Sequence, residues 1–299
     1  MSTENFLGEI KKIPGLRENV PLSNYTTFKV GGPAKFFLEG NDPVIIQKAV
    51  KLALMAKLPF SALGGGSNVL VSDKGFPGLI IKLKSEKCVL KSADKIQADA
   101  GTSLAKVIQF AFNKKLFGLE FAVGIPGSFG GAVAGNAGTS GHGIAEFVEN
   151  LIYLDKQGNL RTCEKPQLDV SYRYTRFKYT PDEIIISAVL KLPKLSAEES
   201  KAAVKDALAK RSWQPKGAWC AGCVFKNPAN NHAGRLIDQA GLKGKKIGGA
   251  EISQAHGNFI VNSGTATAED IVILISYIKQ QIRDKFGVQL EEEVRYLGF

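Results

Sequence analysis

The 299-residue sequence lacks the features that mark membrane and secreted proteins. No apolar run approaches the roughly 18 residues that span a bilayer. The N-terminus has no basic segment followed by an apolar one, so we expect no secretory signal. Four cysteines are too few for a disulfide scaffold in a chain of this length. We therefore expect reduced thiols and a cytoplasmic protein.

Patterns typical of metal sites are also missing. The three histidines, His142, His232 and His256, are isolated, and isolated histidines more often make structural hydrogen bonds. Cys220 and Cys223 form a Cys-x-x-Cys pair, which is typical of a redox pair or of half a zinc site. No second Cys or His pair completes a zinc ligand set, so we expect no metal.

The common phosphate-binding fingerprints are absent too. Val69 stands where the Rossmann fingerprint begun by Gly64 and Gly66 needs its third glycine, and Gly244-Lys245 lacks the flanking residues of a P-loop. The net charge of +11 nevertheless favours anionic partners. Because the lysines are scattered, without an arginine-rich arm or an aromatic platform, small phosphate-bearing molecules are favoured over nucleic acid.

Glycine, by contrast, is concentrated in two loops. Seven of the 21 residues from Gly118 to Gly138 are glycine, and apolar residues rather than serine and charge accompany them, which argues against a linker. The second loop, Gly64–Asn68 with sequence GGGSN, lies between two predicted strands. Glycine turns present backbone N–H groups that hold a pyrophosphate, and the longer apolar loop would line an aromatic ring system. Two such loops indicate a large cofactor such as FAD.

Local signals divide the remaining chain into an α/β first part, a β-rich middle and a C-terminal part. Helix starts are predicted where a capping residue precedes apolar residues at helical spacing, at Asn41 or Asp42, Ser103, Ser196 and Thr267. The β-rich part ends near Pro193, so we place a domain boundary after residue 194. The prediction is a first region over 1–194, with subdomains at about 20–83 and 84–194, and a second domain over 195–299.

Two side-chain patterns predict buried faces. The helix after Ser196 is expected to bury one side, which comprises Ala203, Val204, Ala207 and Leu208. Residues 288–296 alternate and predict a strand. One of its faces would carry Leu290, Glu292, Val294 and Tyr296, and the other Glu291, Glu293 and Arg295. On spacing alone, the second face is most simply a solvated one.

Eight motifs then occur in a fixed order over nearly the whole chain. They are Gly64–Asn68, Gly118–Phe121 with Gly124–Ser128, Gly135–Gly138, Tyr172–Tyr174, Gly222–Pro228, Ala233–Ile237, Asn258–Asn262 and Glu293–Arg295. In this order the chain resembles the UDP-N-acetylenolpyruvoylglucosamine reductase family from about Asn24 to Gly298. It is similar to the shorter subtype, because no room exists between Tyr174 and Cys223 for the tyrosine-bearing loop of longer members.

The resemblance implies a flavoenzyme of peptidoglycan precursor synthesis. Its fold class would be α+β, with a vanillyl-alcohol-oxidase/PCMH-type FAD-binding fold and a C-terminal α+β substrate-binding domain. FAD would be held non-covalently, NADPH would donate hydride, and the enolpyruvyl ether of UDP-N-acetylglucosamine would be reduced to UDP-N-acetylmuramate. We expect a monomer that acts on small molecules without nucleic-acid or membrane partners. The alternative is a sugar or lactone oxidase on the same fold, which would not be expected to carry Arg173, Cys223 and Glu293 together.

The same resemblance implies site residues. Arg173 and Glu293 match positions that stabilise developing charge on the substrate, and Cys223 stands where the family's proton donor is most often serine. The implied cofactor-binding residues are Gly64, Gly65, Gly66, Ser67, Asn68, Gly124, Ile125, Pro126, Gly127, Ser128, Gly131, Ala132, Gly135, Asn136 and Gly138. The implied substrate-binding residues are Tyr172, Lys226, Asn227, Gln254, His256 and Asn258.

Overall fold

The computed structural model describes residues 3–139, 141–193, 196–215 and 217–299. The chain forms two compact units. Unit 1 comprises Met1–Glu18, Phe36–Gly65 and Gly78–Arg211, and unit 2 comprises Asn19–Lys35, Gly66–Pro77 and Ser212–Phe299. The predicted boundary after residue 194 lies outside the described residues. The last change between units comes at Arg211–Ser212, and unit 2 also includes two short N-terminal segments.

Helices and strands are distributed along both units. The helices are α1 (Thr3–Lys11), α2 (Pro43–Met55), α3 (Leu104–Asn113), α4 (Phe129–Ala134), α5 (Ala197–Ala209), α6 (Ala233–Gln239) and α7 (Ala268–Phe286). The strands are β1 (Leu16–Pro21), β2 (Pro33–Gly40), β3 (Phe60–Leu63), β4 (Val69–Val71), β5 (Phe76–Leu83), β6 (Cys88–Ser92), β7 (Lys95–Asp99), β8 (Gly138–Thr139), β9 (His142–Gly143), β10 (Val148–Leu154), β11 (Leu160–Glu164), β12 (Ile184–Lys191), β13 (Lys246–Ile247), β14 (Ala250–Ile252), β15 (Ile260–Asn262) and β16 (Arg295–Leu297). Among the described residues, no helix is long and apolar enough to cross a membrane.

The predicted helix starts are confirmed, and their caps explain them. Asp42, Ser103, Ser196 and Thr267 each accept a backbone N–H from the first turn of α2, α3, α5 and α7. These bonds satisfy donors that have no partner inside the helix. Helix α7 ends, as predicted, at Gly287, whose φ of 67° suits glycine.

Unit 1 is built on a five-stranded sheet in the order β11, β10, β12, β7, β6. Neighbouring strands in this sheet pair antiparallel. Strands β3 and β5 pair parallel in a second sheet. Buried side chains from α2, α3, α4 and both sheets share one apolar core, and the two glycine loops follow β3 and α3 at its edge.

Unit 2 contains the antiparallel sheet β13–β14–β15, with β16 paired parallel to β4. Helix α7 packs on the three-stranded sheet. Its predicted apolar face is confirmed, because Ile271, Leu274, Ile275, Ile278 and Ile282 are all buried. This core supports the segments that carry Cys223 and Glu293.

Two sequence predictions are wrong in part, although Leu290 and Val294 are buried as the alternation predicts. The extended C-terminal stretch forms strand β16 only over Arg295–Leu297. Before it, Glu291 and Glu293 make isolated backbone hydrogen bonds to Lys226 and Val224 instead of pairing in a continuous strand. Helix α5 buries Ala207 but exposes Ala203 and Leu208, since its inner line runs through Ser200, half-buried Val204 and Ala207. That line has the spacing i, i+4, i+7 of one helical face.

Candidate active site

The two glycine loops meet inside unit 1. Gly64 and Gly65 follow β3 and lie against Gly127, Ser128 and Gly131 of the second loop. A Cβ added to Gly65 would lie 2.5 Å from Gly127 Cα and 2.9 Å from Ser128 N, closer than real side-chain carbons come. Only glycine permits this approach of two main chains. Because Gly65 and Gly131 are exposed, bare backbone faces outward at the junction.

Fixed contacts hold each loop in place. Lys82 Nζ donates a hydrogen bond to Gly64 O, and burial lowers the pKa of this lysine. Ser128 Oγ accepts the Gly131 N–H at 3.3 Å, which caps α4. Gly124 and Gly127 have φ angles of 82° and 121°, which glycine adopts without strain. These contacts within the protein fix the conformation of both loops.

The other predicted cofactor residues of the second loop continue along α4. Pro126 is exposed and Ile125 half-buried, whereas Ala132 is buried in the core of unit 1. Gly135 ends α4, and Gly138 lies so close to His142 O that a side chain would collide with it. In this part of the loop, Ala132 and Gly138 are buried, and Gly131 leaves backbone exposed.

The remainder of the GGGSN loop belongs to unit 2. Gly66 O accepts the Thr27 N–H at 3.0 Å, and half-buried Ser67 follows it. Asn68 Nδ2 donates to Glu293 O at 3.1 Å. Asn68 Oδ1 is buried and, among the residues that the structure describes, has no hydrogen-bond partner. An unsatisfied buried acceptor costs about 1–3 kcal/mol, so a donor from a bound molecule is expected there.

Asn136 has a structural task. Its φ is 43°, its Nδ2 donates to Ser171 O at 2.9 Å, and its Oδ1 accepts the Ala145 N–H at 3.1 Å. Both ends of the amide are therefore used by the protein. Asn136 ties the glycine loop to the turn that carries Arg173.

Arg173 lies at the tip of a tight turn in unit 1. Ser171 and Tyr174 exchange two backbone hydrogen bonds of 3.1 Å, and Arg173 between them has a φ of 56°. Its guanidinium carbon is 5.3 Å from the ring centre of Tyr172, which is exposed. Lys178 is only 2% exposed and donates to Arg173 O at 2.8 Å. Lysine is seldom fully buried unless its ammonium group has a partner, and Arg173 O is a partner here. This hydrogen bond holds Arg173 in its left-handed conformation.

Sequence reasoning missed Lys178 and Glu120. Glu120 is 5% exposed; it accepts the Gly118 N–H at 2.8 Å and the Ser200 hydroxyl at 2.7 Å. It thereby anchors the start of the second glycine loop to α5. A lone carboxylate inside an apolar glycine-rich stretch was a signal available for Glu120. No comparable local signal exists for Lys178, because its partner is a backbone carbonyl.

Two candidate catalytic residues lie on neighbouring segments of unit 2. Val224 O, next to Cys223, accepts the Glu293 N–H at 2.7 Å, and Lys226 N donates to Glu291 O at 2.9 Å. Cys223 and Glu293 are both half-buried. The structure thus brings these two together, whereas Arg173 belongs to unit 1.

The predicted substrate residues of unit 2 differ in availability. Lys226 Nζ pairs with exposed Glu291 at 3.1 Å, and Gln254 is exposed. Asn227 Oδ1 accepts the Ala233 N–H at 3.1 Å at the start of α6. Asn258 is buried, with both ends of its side-chain amide bound to the backbone of Phe225. Lys226 and Gln254 are thus more accessible than Asn258.

An aromatic cluster surrounds His256. Its ring stacks on Trp213 with 4.0 Å between ring centres, and Phe259 meets it edge-on at 5.5 Å. The Asn258 N–H donates to His256 Nδ1 at 3.1 Å, so Nδ1 is an acceptor and the neutral ring carries its proton on Nε2. Burial, followed by the charge of Lys243, lowers the pKa of His256. The histidine is therefore held in its neutral form.

The cysteines and acidic groups form no recognisable metal centre. Cys220 and Cys223 are not joined by a disulfide, and burial raises the pKa of the Cys220 thiol. Within the described parts of the chain, no three His, Cys, Asp or Glu residues gather as metal ligands.

The chain is similar to known proteins over most of its length. A family model described as the C-terminal domain of UDP-N-acetylenolpyruvoylglucosamine reductase matches residues 214–297, and one described as an FAD binding domain matches residues 36–164. A UDP-N-acetylenolpyruvoylglucosamine reductase of Geotalea uraniireducens is 41% identical over 285 residues, which cover 95% of this chain and 94% of the relative. The Bacillus subtilis protein of the same name is 36% identical over 99% of both chains.

Solved structures give the same result. The crystal structure of UDP-N-acetylenolpyruvylglucosamine reductase from Thermus caldophilus matches with a TM-score of 0.81 and 36% identity, over 94% of this chain and 99% of that one. The pollen allergen Phl p 4, with glucose dehydrogenase activity, matches 64% of this chain and 44% of its own, with a TM-score of 0.51 and 17% identity. The second likeness shows the fold alone. The predicted α+β class with a vanillyl-alcohol-oxidase/PCMH-type FAD-binding fold is confirmed.

Proposed function

The chain belongs to the UDP-N-acetylenolpyruvoylglucosamine reductase family, and from that premise we propose how its own residues divide the work of the reaction. It is an FAD-dependent oxidoreductase of peptidoglycan precursor synthesis. It reduces the enolpyruvyl ether of UDP-N-acetylglucosamine to UDP-N-acetylmuramate, with NADPH as the reductant. The carrying observation is similarity over nearly the whole chain, combined with two glycine loops that meet in unit 1.

The two loops fit FAD. Gly64 and Gly65 pack so closely against Gly127 and Ser128 that an added side chain would overlap them, and the exposed Gly65 and Gly131 leave bare backbone at this junction. Asn68 Oδ1 is a buried acceptor that lacks a donor among the described residues. Backbone N–H groups of such glycine turns suit a pyrophosphate. When bound, FAD supplies reversible hydride transfer. The residues of this chain bind and orient it, without a histidine or cysteine in either loop to form a covalent link.

Reduction adds one hydride and one proton across the carbon–carbon double bond of the enolpyruvyl group. Negative charge develops on the α-carbon and the adjoining carboxylate after the hydride is added. A permanently charged guanidinium that offers several N–H donors suits that carboxylate, and we assign this task to Arg173. We assign Glu293 to the same role, because it matches the family position for it.

Cys223 is assigned as the proton donor to the α-carbon. A thiol has an ordinary pKa of about 8.5, so at neutral pH it is mostly protonated and is a much stronger acid than a serine hydroxyl. Cys223 and Glu293 lie on neighbouring segments, because Glu293 N donates a hydrogen bond of 2.7 Å to Val224 O, next to Cys223. This supports assigning both residues to the same reaction. Proton transfer from a positioned acid typically contributes about 10²–10⁴-fold to the rate.

Substrate contacts are assigned to the more accessible candidates. Lys226 is a candidate for the diphosphate, because its present partner Glu291 is 73% exposed and such surface pairs contribute little. Tyr172 in unit 1 and Asn227, Gln254 and His256 in unit 2 are further candidates for substrate contacts. We also propose that the protein acts as a monomer in the cytoplasm, which light scattering after size exclusion and cell fractionation would test.

The assignment of Cys223 is tested by separating the two half-reactions in rapid-mixing experiments. In the Cys223→Ala variant, NADPH should bleach the flavin at the normal rate, and reoxidation by the enolpyruvyl substrate should slow about 10²-fold or more. Cys223→Ser should recover much of the activity, and Cys220→Ala should be nearly silent. Normal turnover by Cys223→Ala would show that another group donates the proton.

A further inference from the structure

We propose that Asn258 is a positioning residue for the proton donor, and not the substrate contact that the sequence predicts. Its side chain fixes the short segment that begins at Cys223. This proposal rests on the proposed function only for the role of Cys223. The constraint on the segment itself follows from hydrogen bonds within unit 2.

Asn258 uses all its polar groups on the protein. Its Oδ1 accepts the Phe225 N–H at 2.9 Å, and its Nδ2 donates to Phe225 O at 2.8 Å. Its own carbonyl accepts the Val224 N–H at 2.9 Å, and its N–H donates to His256 Nδ1 at 3.1 Å. With 3% of its surface exposed, Asn258 presents little area to a substrate.

The two bonds to Phe225 reproduce what a neighbouring strand would provide. In an antiparallel pair, one residue receives the N–H and donates to the C=O of the residue opposite. The opposite edge of the segment is held by main chain, since Glu293 N donates to Val224 O at 2.7 Å and Lys226 N donates to Glu291 O at 2.9 Å. Asn258 therefore closes one side of a short ladder whose other side carries Glu293.

A second group of residues keeps Asn258 in place. His256 accepts its N–H, and the imidazole is itself stacked on Trp213 and flanked by Phe259. The constraint thus passes from the aromatic cluster through His256 and Asn258 to the backbone two residues beyond Cys223. Misplacement of a reacting group by about 1 Å can cost about 10²-fold in rate, so loosening this segment should slow proton transfer.

The test compares Asn258→Asp with a matched change at Asn262. Asn262 is also buried, at 8% exposure, and its Nδ2 donates to Phe28 O at 2.9 Å. Each substitution by aspartate removes one amide donor to a phenylalanine carbonyl and keeps the acceptor oxygen. Of the two, only Asn258 bonds its side chain to the Val224–Phe225 segment, so a general loss of stability should affect both variants alike.

Two measurements on the FAD-loaded enzyme follow. In Asn258→Asp, reduction by NADPH and the Kd of the enolpyruvyl substrate should stay within about threefold, while flavin reoxidation slows about 10- to 100-fold. In Asn262→Asp, reduction by NADPH, the Kd of the enolpyruvyl substrate and flavin reoxidation should all stay near normal. If Asn258→Asp instead weakens substrate binding with reoxidation unchanged at saturation, or if both variants slow equally, the proposal is overturned.

A readout independent of turnover is the alkylation rate of Cys223, measured by peptide mapping with iodoacetamide in a Cys220→Ala background. Asn258→Asp should change that rate at least about fivefold and Asn262→Asp should not, whether or not Cys223 is the proton donor. Should Asn258→Asp fail to fold, His256→Phe removes the next hydrogen bond and keeps an aromatic ring against Trp213. Unchanged Cys223 alkylation in the folded variant would reject the constraint.

Discussion

Replacement of Gly65 by alanine tests whether the close junction of the two glycine loops is needed to bind FAD. The added Cβ would lie 2.5 Å from Gly127 Cα and 2.9 Å from both Gly127 C and Ser128 N. All three are main-chain atoms, so no side chain can rotate away. Gly65 does not have a positive φ, and alanine therefore adds steric overlap without backbone strain.

The size of the effect follows from ordinary contact distances. Carbon atoms pack at about 3.5–4.0 Å, so the two loops must separate by about 1 Å to admit the methyl group. Overpacking of this kind costs about 1–3 kcal/mol. FAD binding is weakened by this cost if FAD requires the two loops at their present separation. The Kd for FAD then rises roughly 10- to 100-fold, since each 1.4 kcal/mol is about tenfold.

The assay is titration of the apoprotein with FAD, followed by flavin fluorescence, together with the flavin content of the purified protein. Gly40→Ala is the matched control. Gly40 ends β2 and has no positive φ, and a methyl group added there would meet no atom of the described residues within 4 Å. An unchanged Kd in Gly65→Ala would mean that the junction of the loops does not hold the cofactor.

Three further predictions concern the site. Glu293→Gln should leave reduction by NADPH intact and slow reoxidation by the enolpyruvyl substrate about 10²-fold or more, and equal slowing of both half-reactions would reject its role. Acid precipitation should release all the flavin, since neither glycine loop offers a linking residue; flavin in the pellet would contradict this. Because the pKa of His256 is lowered on folding, the unfolded chain binds its proton first as the pH falls through about 6.5, so stability falls there. The melting temperature of His256→Phe should fall less between pH 7 and pH 5, and parallel curves would reject the titration of His256.

Local signals in the sequence determined where α2, α3, α5 and α7 begin and where glycine is concentrated, but they did not predict α1, α4 or α6. Asp42, Ser103 and Thr267 cap their helices through bonds to residues two or three positions away, so a short window contains the whole cause. Family membership could also be recognised from the sequence, because the order of the eight motifs can be read without knowing which residues are in contact. The fold class followed from that membership, and the comparisons confirm it.

The structure decided what depends on distant partners. The stretch 288–296 alternates like a strand, but Glu293 bonds to Val224 and its carbonyl to Asn68, 225 positions away, so only Arg295–Leu297 pairs as a strand. Likewise, the resemblance implies that Asn258 lies near the substrate, and only the structure shows that its side-chain amide bonds to the backbone of Phe225, 33 positions earlier. A pattern of residue types specifies periodicity and caps within a few residues. It does not specify which remote backbone groups a buried amide must satisfy, and only the tertiary structure determines that.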